Sequence, residues 1–451
     1  MTLSPSDGVE LINDTLGPLF EAERARLAII DRWYRWDNED VVLPRQATDE
    51  HKKLAALAKT PWAGLIVTNV AQGMRLDGFR DPTTPDTGTE SDGVTSVSDR
   101  AWRRWTANGL DGRQSAIYRS TLAYGASYGT ATDGVDPLTG EAMAVMRGVS
   151  PRKMLAYYQD PAEDDWPMYA LRYDGHGRWR LYDAEAVYRF GVEDGPNGTK
   201  RLQFITYDRH SAGVCPVVRF CNMLDLDGRT DGEVEPFIPL FKRIDKTTYD
   251  RLLIQHFNSW KVRWATGLAK PDDDDAAALE RLRLRHDDVL INESTDGAFG
   301  TLPETTVDGV IKAGDSDVKT LAATSQTPTH ALTGDLINLN ADALAAARSE
   351  LERKTGERKG SVGAGIAKWQ RLGAHIEGDT EGAANVLLQP TWQDLSVRSM
   401  ANAADALGKM ATMLEIPVEA LWSLVPGIDK TAVEEWRAMA KAAPDVPPAA
   451  A

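Results

Sequence analysis

The stretch Ser325–Leu372 reads SQTPTHALTGDLINLNADALAAARSELERKTGERKGSVGAGIAKWQRL, and its reading decides that of the chain around it. Pro328 pushes Thr327 toward extended geometry and Gly334 adds a second flexible point, so Gln326 to Leu339 is predicted as a long loop. Asn340 can cap the helix that follows, with Asp342 well placed in its first turn. Apolar or small residues recur at Leu344, Ala347, Leu351, Thr355, Val362, Ile366 and Trp369, which is helical spacing. Gly356, Gly360, Gly363 and Gly365 interrupt that pattern. Each costs about 1 kcal/mol relative to alanine, so a kinked long helix is expected in place of a straight rod. A loop of this length inside a folded domain is usually functional or disordered, and the alanine-rich helix behind it favours function.

Composition sets the outer bounds. A chain of 451 residues suits two or three substructures, and 42% hydrophobic with 26% charged residues is ordinary for a soluble globular protein. The net charge of −16 argues against a simple nucleic-acid binder, because gripping phosphates takes a basic face. Two cysteines, Cys215 and Cys221, form neither a disulfide framework nor a metal quartet. Cys215, ahead of Pro216 in an apolar run, is expected as a small buried side chain. The opening MTLSPSDGVE lacks a signal segment, and no window reaches the ~18 consecutive apolar residues of a membrane span. Folding in a cytoplasm, without membrane attachment, is the expectation.

From the N-terminus, residues 11–36 read as an amphipathic helix with Leu19, Ala22, Leu27 and Ile30 toward one side. A second helix covers about Glu50 to Leu76, broken or bent at Pro61, and ends in LDGFR, residues 76–80. Asp81 to Ser98 is loop-like. Trp102 to Tyr128 gives two helices with a turn at Gly109 to Gly112; its tryptophans, at helical spacing with leucines, suit a core better than a base-stacking platform. Gly129 to Met223 switches to short alternating runs and reads as an antiparallel sheet of about five strands, with a hairpin turn at Gly195–Gly198 and His176 on another tip. The GTK after that turn is not the GK[ST] of a phosphate loop.

A long helix is expected from Gly232–Pro236 to about Trp264. It carries two apolar stripes: Phe237, Phe241, Ile244, Thr248 and Leu252, then Tyr249, Leu253, His256, Phe257, Trp260 and Trp264. Two stripes imply neighbours on two sides. Ala265 to Thr306 holds a charged arm, KPDDDDAAALERLRLRHDDV, between strand-like segments. Asp272, Asp273, Asp274 and Asp275 could take a divalent cation, but four consecutive carboxylates are usually a solvated run. Val307 to Thr324 forms a shorter helix. Ala384 to Trp392 reads as a strand returning to the sheet, and helices follow over Met400–Leu414, within Pro417–Gly427, and after Asp429.

Several of these stretches resemble one family. Thr327, Pro328, His330, Leu332, Gly334, Asn338, Leu339, Ala341, Ala343, Leu344, Ala345 and Ala346, followed by Leu351, Lys354, Glu357 and Arg358, are similar to the tunnel loop and long helix of tailed-phage portal proteins, of the siphophage or actinophage type. Trp105, Asn108, Leu110 and Asp111, then Leu122, Tyr124, Gly125 and Tyr128, resemble the family's W-x-x-N-x-L-D and L-x-Y-G-x-x-Y motifs. Gly232, Glu233, Glu235 and Pro236 resemble its entry to the first stem helix, with the glutamate shifted and the serine missing.

The resemblance implies an α+β portal-like fold. Its parts would be a helical and β wing (1–233, β part about 129–223), a first stem helix (234–264), a clip (265–306), a second stem helix (307–325), a tunnel loop (326–340), the kinked long helix with its return strand (341–395) and a helical crown with tail (396–451). It implies a dodecameric ring in the virion, at one capsid vertex, passing double-stranded DNA. Partners would be the terminase large subunit, a head–tail adaptor, and the major capsid and scaffolding proteins. An acidic or mixed lining suits DNA that must slide without being gripped. The expected channel residues are Gln326, Thr327, Thr329, His330, Thr333, Asp335 and Asn338. Stem interface residues would be Phe237, Phe241, Tyr249, Leu253, Phe257 and Trp260; clip docking would use Asp272, Asp273, Asp274, Asp275, Arg281 and Arg283. Lys354, Arg358 and their basic neighbours are expected to pair with Glu350, Glu352 and Glu357 on the same or adjoining helices.

Neither catalytic residues, metal nor cofactor are expected. No P-loop, H-E-x-x-H or C-x-x-C occurs. The alternatives are another virion structural protein such as a head–tail adaptor, or a metal-dependent nuclease built on the acidic run with His286, Asp287 and Asp288.

Overall fold

The first element shows how local chemistry sets the frame. Ser4 Oγ accepts from the Asp7 amide at 3.2 Å and Pro5 occupies the first turn, which starts α1 (Pro5–Leu11). Pro18 has no N–H to continue the ladder, and the chain widens: Ile12–Leu16 is a π turn, with the Gly17 amide donating to the Ile12 carbonyl. Helix α2 (Gly17–Tyr34) follows. Ile12, Leu16 and Phe20 pack together against Leu171, Leu181, Ala186, Tyr188 and Phe190.

The computed structural model describes residues 3–43, 45–82, 96–136, 138–194, 200–258, 263–266, 298–301, 306–334, 341–393, 400–425, 428 and 430–442. It is 53% helix and 19% strand, an α+β protein as expected. The chain divides into two units: Met1–Glu39, Pro61–Pro239 and Leu321–Ala451 form the first, Asp40–Thr60 and Leu240–Thr320 the second.

The expected helix over 50–76 is two helices, α3 (Asp49–Leu57) in the second unit and α4 (Trp62–Gln72) in the first. The stretch Asp49–Gln72 is long and apolar enough by composition to cross a membrane, but Pro61 divides it. Residues 76–80, read as a helix end, are instead strand β1 (Leu76–Arg80). Gly73 has already ended α4, and β1 buries Leu76 and Phe79. Helices α5 (Val97–Ala107) and α6 (Leu110–Tyr124) follow, separated by Gly109 at φ +62°. Gly125, at φ +90°, turns α6 into β2 (Ala126–Val135). A Cβ there would stand 2.1 Å from the Thr230 carbonyl oxygen, so only glycine fits.

The β region forms two antiparallel sheets where one of about five strands was expected. Strands β3 (Ala142–Val149), β2 and β9 (Val217–Cys221) make the first, in that order. Strands β4 (Met154–Tyr157), β5 (Tyr169–Gly175), β6 (Arg178–Tyr182), β7 (Ala186–Asp194) and β8 (Lys200–Arg209) form a meander. His176 stands at the β5–β6 tip with φ +51°, as expected. The 195–198 turn lies outside the described residues. Cys215 is buried, its thiol donating to the Tyr182 carbonyl at 3.7 Å.

In the second unit, a short 3-10 turn at Glu235–Phe237 has led into α7 (Ile238–Asn258). The helix does not reach Trp264: Arg263–Thr266 is strand β10, paired antiparallel with β11 (Ala298–Thr301). Helix α8 (Asp308–Thr324) comes next. Arg243 Nε meets Asp317 Oδ1 at 2.9 Å and Thr247 Oγ1 meets Oδ2 at 3.2 Å, tying α7 to α8. Ala55 and Ala58 of the α3 region pack on Tyr249, with Leu252 and Leu253 beside them. Part of the second apolar stripe of α7 thus finds its neighbour in its own chain.

Back in the first unit, α9 (Thr329–Thr333) opens after Pro328 and ends at Gly334, φ +74°, so part of the expected loop is helical. Helix α10 (Ala341–Ile376) runs unbroken through all four glycines. Then come α11 (Thr380–Ala384) and β12 (Gln389–Trp392), which among the described residues pairs with β1, from Leu76↔Trp392 to Arg80↔Gln389. Helices α12 (Met400–Met413), α13 (Val418–Leu421) and α14 (Lys430–Ala442) complete the chain.

The glycines of α10 serve close approach. Trp369 is fully buried, edge-on to Trp105 and Phe220 with centroids at 6.2 and 5.3 Å, and its indole N–H donates to the Thr130 carbonyl at 3.1 Å. A Cβ on Gly365 would stand 2.7 Å from Phe220 Cδ1, and one on Gly363 3.0 Å from Pro390 Cγ. Gly356 and Gly360 have no such neighbour within 4 Å. Gly365→Ala should therefore destabilise the subunit by about 1–3 kcal/mol, whereas Gly356→Ala and Gly360→Ala should each stabilise it by up to about 1 kcal/mol. Urea unfolding of the three variants measures this; the opposite ranking would remove the packing account.

Candidate channel loop and its buried anchor

Glu233 is the residue around which the candidate site is built. It stands between β9 and α7, and its amide donates to the Leu122 carbonyl at 2.7 Å. Its carboxylate is buried: Oε2 lies 2.6 Å from Lys354 Nζ, and Oε1 lies 2.9 Å from Arg358 Nε and 3.2 Å from Asn222 Nδ2. Lys354 and Arg358 are four apart on α10, hence on one face. Arg358 also has Glu357 at 3.2 Å.

Lys354 does a second thing. Its ammonium donates to the Ser325 carbonyl at 2.7 Å, just past the end of α8. There Gln326 takes φ +51° and the Thr327 amide returns to the Ala322 carbonyl at 3.0 Å, a left-handed cap made without glycine. Ser325 Oγ and Thr327 Oγ1 are 3.0 Å apart, and both residues are buried. A cation placed where a helix presents unpaired carbonyls is favoured by the helix dipole.

Burial pushes the Glu233 carboxyl up, but Lys354 and then Arg358 more than offset it and hold it below the ordinary glutamate value of 4.5. Burial lowers the Lys354 ammonium, opposed by Glu233. A second charged network, centred on the buried Arg104, fixes the far end of α10. Arg104 Nε meets Glu377 Oε2 at 2.7 Å and its Nη1 meets Gln370 Oε1 at 3.1 Å; Arg100 meets Asp379 at 3.0 Å and Glu381 at 2.8 Å.

The expected site residues fall as follows. Gln326, Thr329 and Thr333 are exposed, and His330 is half-buried. Thr327 is not a lining residue: it is buried in the α8 cap. Asp335 and Asn338 lie outside the described residues. Among the stem residues, Phe241 and Tyr249 are buried within the chain, Phe237 and Leu253 are half-buried, and Phe257 is 53% exposed. Trp260, Asp272, Asp273, Asp274, Asp275, Arg281 and Arg283 lie outside the described residues. Lys354 and Arg358 reach Glu233, not the helix-surface partners expected for them alone. The available signal was that both sit on the apolar face with Leu351, Thr355 and Val362, where a cation needs a buried carboxylate.

The family model described as "Phage portal protein, SPP1 Gp6-like" matches residues 18–445, and the chain belongs to this family, the portal proteins of phage particles. No protein of curated function matches it. Its fold matches 102 chains of solved structures. One, from "Neck of native GTA particle computed with C12 symmetry", is 10% identical, with a TM-score of 0.46 over 86% of this chain and 96% of that one.

The Glu233 trio predicts a pH dependence. Because its folded value is depressed, the stabilisation from the carboxylate is fully present above about pH 4.5 and is lost as pH falls through the lowered value. Glu233→Gln should cost about 3–5 kcal/mol at pH 7 by leaving two buried cations without their anion. Thermal unfolding between pH 7 and pH 3 should then fall more steeply for the native chain than for Glu233→Gln. Parallel profiles would show that the carboxylate carries no such linkage.

Proposed function

We propose that the chain forms a closed homo-oligomeric ring of twelve copies at one capsid vertex, through which double-stranded DNA enters and leaves the particle. The observation that carries this reading is the family match over residues 18–445, joined to the arrangement of the second unit. Two helices, α7 and α8, tied to each other by Asp317, flank in sequence an antiparallel ladder of β10 and β11. In this reading α7 and α8 are the stem, residues 265–306 the clip that docks the terminase large subunit and later the head–tail adaptor, and 326–340 the tunnel loop. The β sheets with α1, α2 and α4–α6 form the wing, and α12–α14 the crown. Capsid and scaffolding proteins meet the ring in the procapsid. Catalysis has no part in it.

Ring closure requires a heterologous interface. Phe257, 53% exposed on α7, is the apolar stem residue to which we assign it. Native mass spectrometry at high protein concentration should give a ring. Phe257→Asp should abolish that ring while changing subunit stability by no more than about 0.5 kcal/mol, as a surface change does. Monomers and two-fold dimers alone in the native chain would count against the reading.

The exposed polar groups of Gln326, Thr329 and Thr333 suit a lining that grazes phosphates without a salt-dependent grip, which would need several lysines or arginines. A photoreactive residue at Thr329 should capture DNA in packaging-stalled particles. Capture of protein alone, from Thr329 and Thr333 alike, would retire the loop assignment.

A further inference from the structure

We infer that Lys354 is a positioning residue that fastens the segment Ser325–Gly334 to α10, so that its exposed groups take their position from the long helix as well as from the helix that precedes them in the chain. Three observations carry this. First, the Lys354 ammonium makes two short contacts of different kinds, 2.6 Å to the Glu233 carboxylate and 2.7 Å to the Ser325 carbonyl. The carboxylate already has Arg358 and Asn222, so the ion pair alone does not require the lysine to reach Ser325. Second, the segment it holds is closed off from water: Ser325, Thr327 and Leu332 are all buried, as is Pro328, while Gln326, Thr329 and Thr333 face out. The exposed groups thus ride on a short buried base. Third, the base is shaped by a cap in which Gln326 holds a left-handed conformation that glycine would adopt freely. A conformation of this cost persists only where surroundings over-determine it, and the Lys354–Ser325 contact is beside it.

The same lysine therefore holds Glu233, ahead of the 3-10 turn that leads into α7, and Ser325, the residue just after α8 ends. A displacement of either segment strains one of the two contacts of a single ammonium group. Lys354 carries no exposed surface through which DNA or a partner could act on it directly. It responds only through the segments it holds. The tether stands on these contacts whatever passes the loop; its consequence for DNA rests on the portal reading above.

Hydrogen exchange followed by mass spectrometry on the full-length protein tests the inference. Lys354→Met keeps the length of the side chain and removes both contacts, while Arg358 and Asn222 stay on Glu233. Amides from Ser325 to Gly334 should exchange at least tenfold faster in this variant, with β2, β3 and β9 unchanged. Arg358→Met takes the other cation from Glu233 but leaves Lys354 on both the carboxylate and the Ser325 carbonyl, so the same amides should speed up much less. Equal acceleration in the two variants, or none in Lys354→Met, overturns the tether. If Lys354→Met fails to fold, the native chain decides: the Ser325 and Thr327 amides should be protected as well as those of Val362 and Ile366. Protection tenfold weaker would equally overturn it, and DNA crosslinking at Thr329 could still succeed.

Discussion

A carboxylate with almost no access to water must be matched by positive charge or give up its own, and Glu233 is matched twice over. Both cations come from consecutive turns of α10, so the match is made only when that helix stands at one height and one rotation. Buried ion pairs add little to net stability, because desolvation consumes most of the Coulombic gain. Removing one partner is what is expensive. The trio therefore penalises misplacement of α10 more than it rewards folding, and every element that leans on α10 inherits the placement.

What leans on it is the β3–β2–β9 sheet with β12, α4, α5 and α11. Trp369 meets Trp105 from α5 and Phe220 from β9, and its N–H is held by β2. At the C-terminal end, Arg104 and Arg100 clamp Glu377, Asp379 and Glu381. The glycines complete the fit on the packed side, where Gly363 and Gly365 admit Pro390 and Phe220. One helix thus meets charge at its middle, aromatic rings further on and a salt-bridge cluster at its end. The balance of effects at Gly365 favours contact over helix propensity, since the backbone penalty of about 1 kcal/mol is smaller than what a clash in the core would cost.

Periodicity made the helices legible, and Ser325–Leu372 together with the W-x-x-N-x-L-D stretch carried the family. Local signals also placed His176 on its tip and Cys215 in the core. The failures share a cause. Strand β1 pairs with residues more than three hundred positions away, and five residues such as LDGFR hold too little pattern to be told from a helix end. The division into two sheets depends on the order in which strands pair, which alternation does not encode. What Gly363 and Gly365 of α10 are for was hidden because the side chains they admit lie on other elements. In the candidate site, the exposure of Thr329 and Thr333 follows from polarity, but the burial of Thr327 follows from a cap closed by Lys354. Tyr249 fitted an interface stripe until α3, an element some two hundred residues earlier, covered it.

The late arrival of α10 has a consequence for how the chain is made. Trp105 and Phe220 wait for Trp369, and Glu233 waits for Lys354, so the first unit has no finished centre while the ribosome is still short of α10. At about 5–20 residues per second, the roughly 260 residues between Trp105 and Trp369 take about 13–50 s to emerge. During that interval the nascent chain presents large aromatic side chains with no lid and one acidic group with no counter-charge. Its vulnerability to aggregation is a matter of seconds on the ribosome, set by where in the gene one helix is encoded.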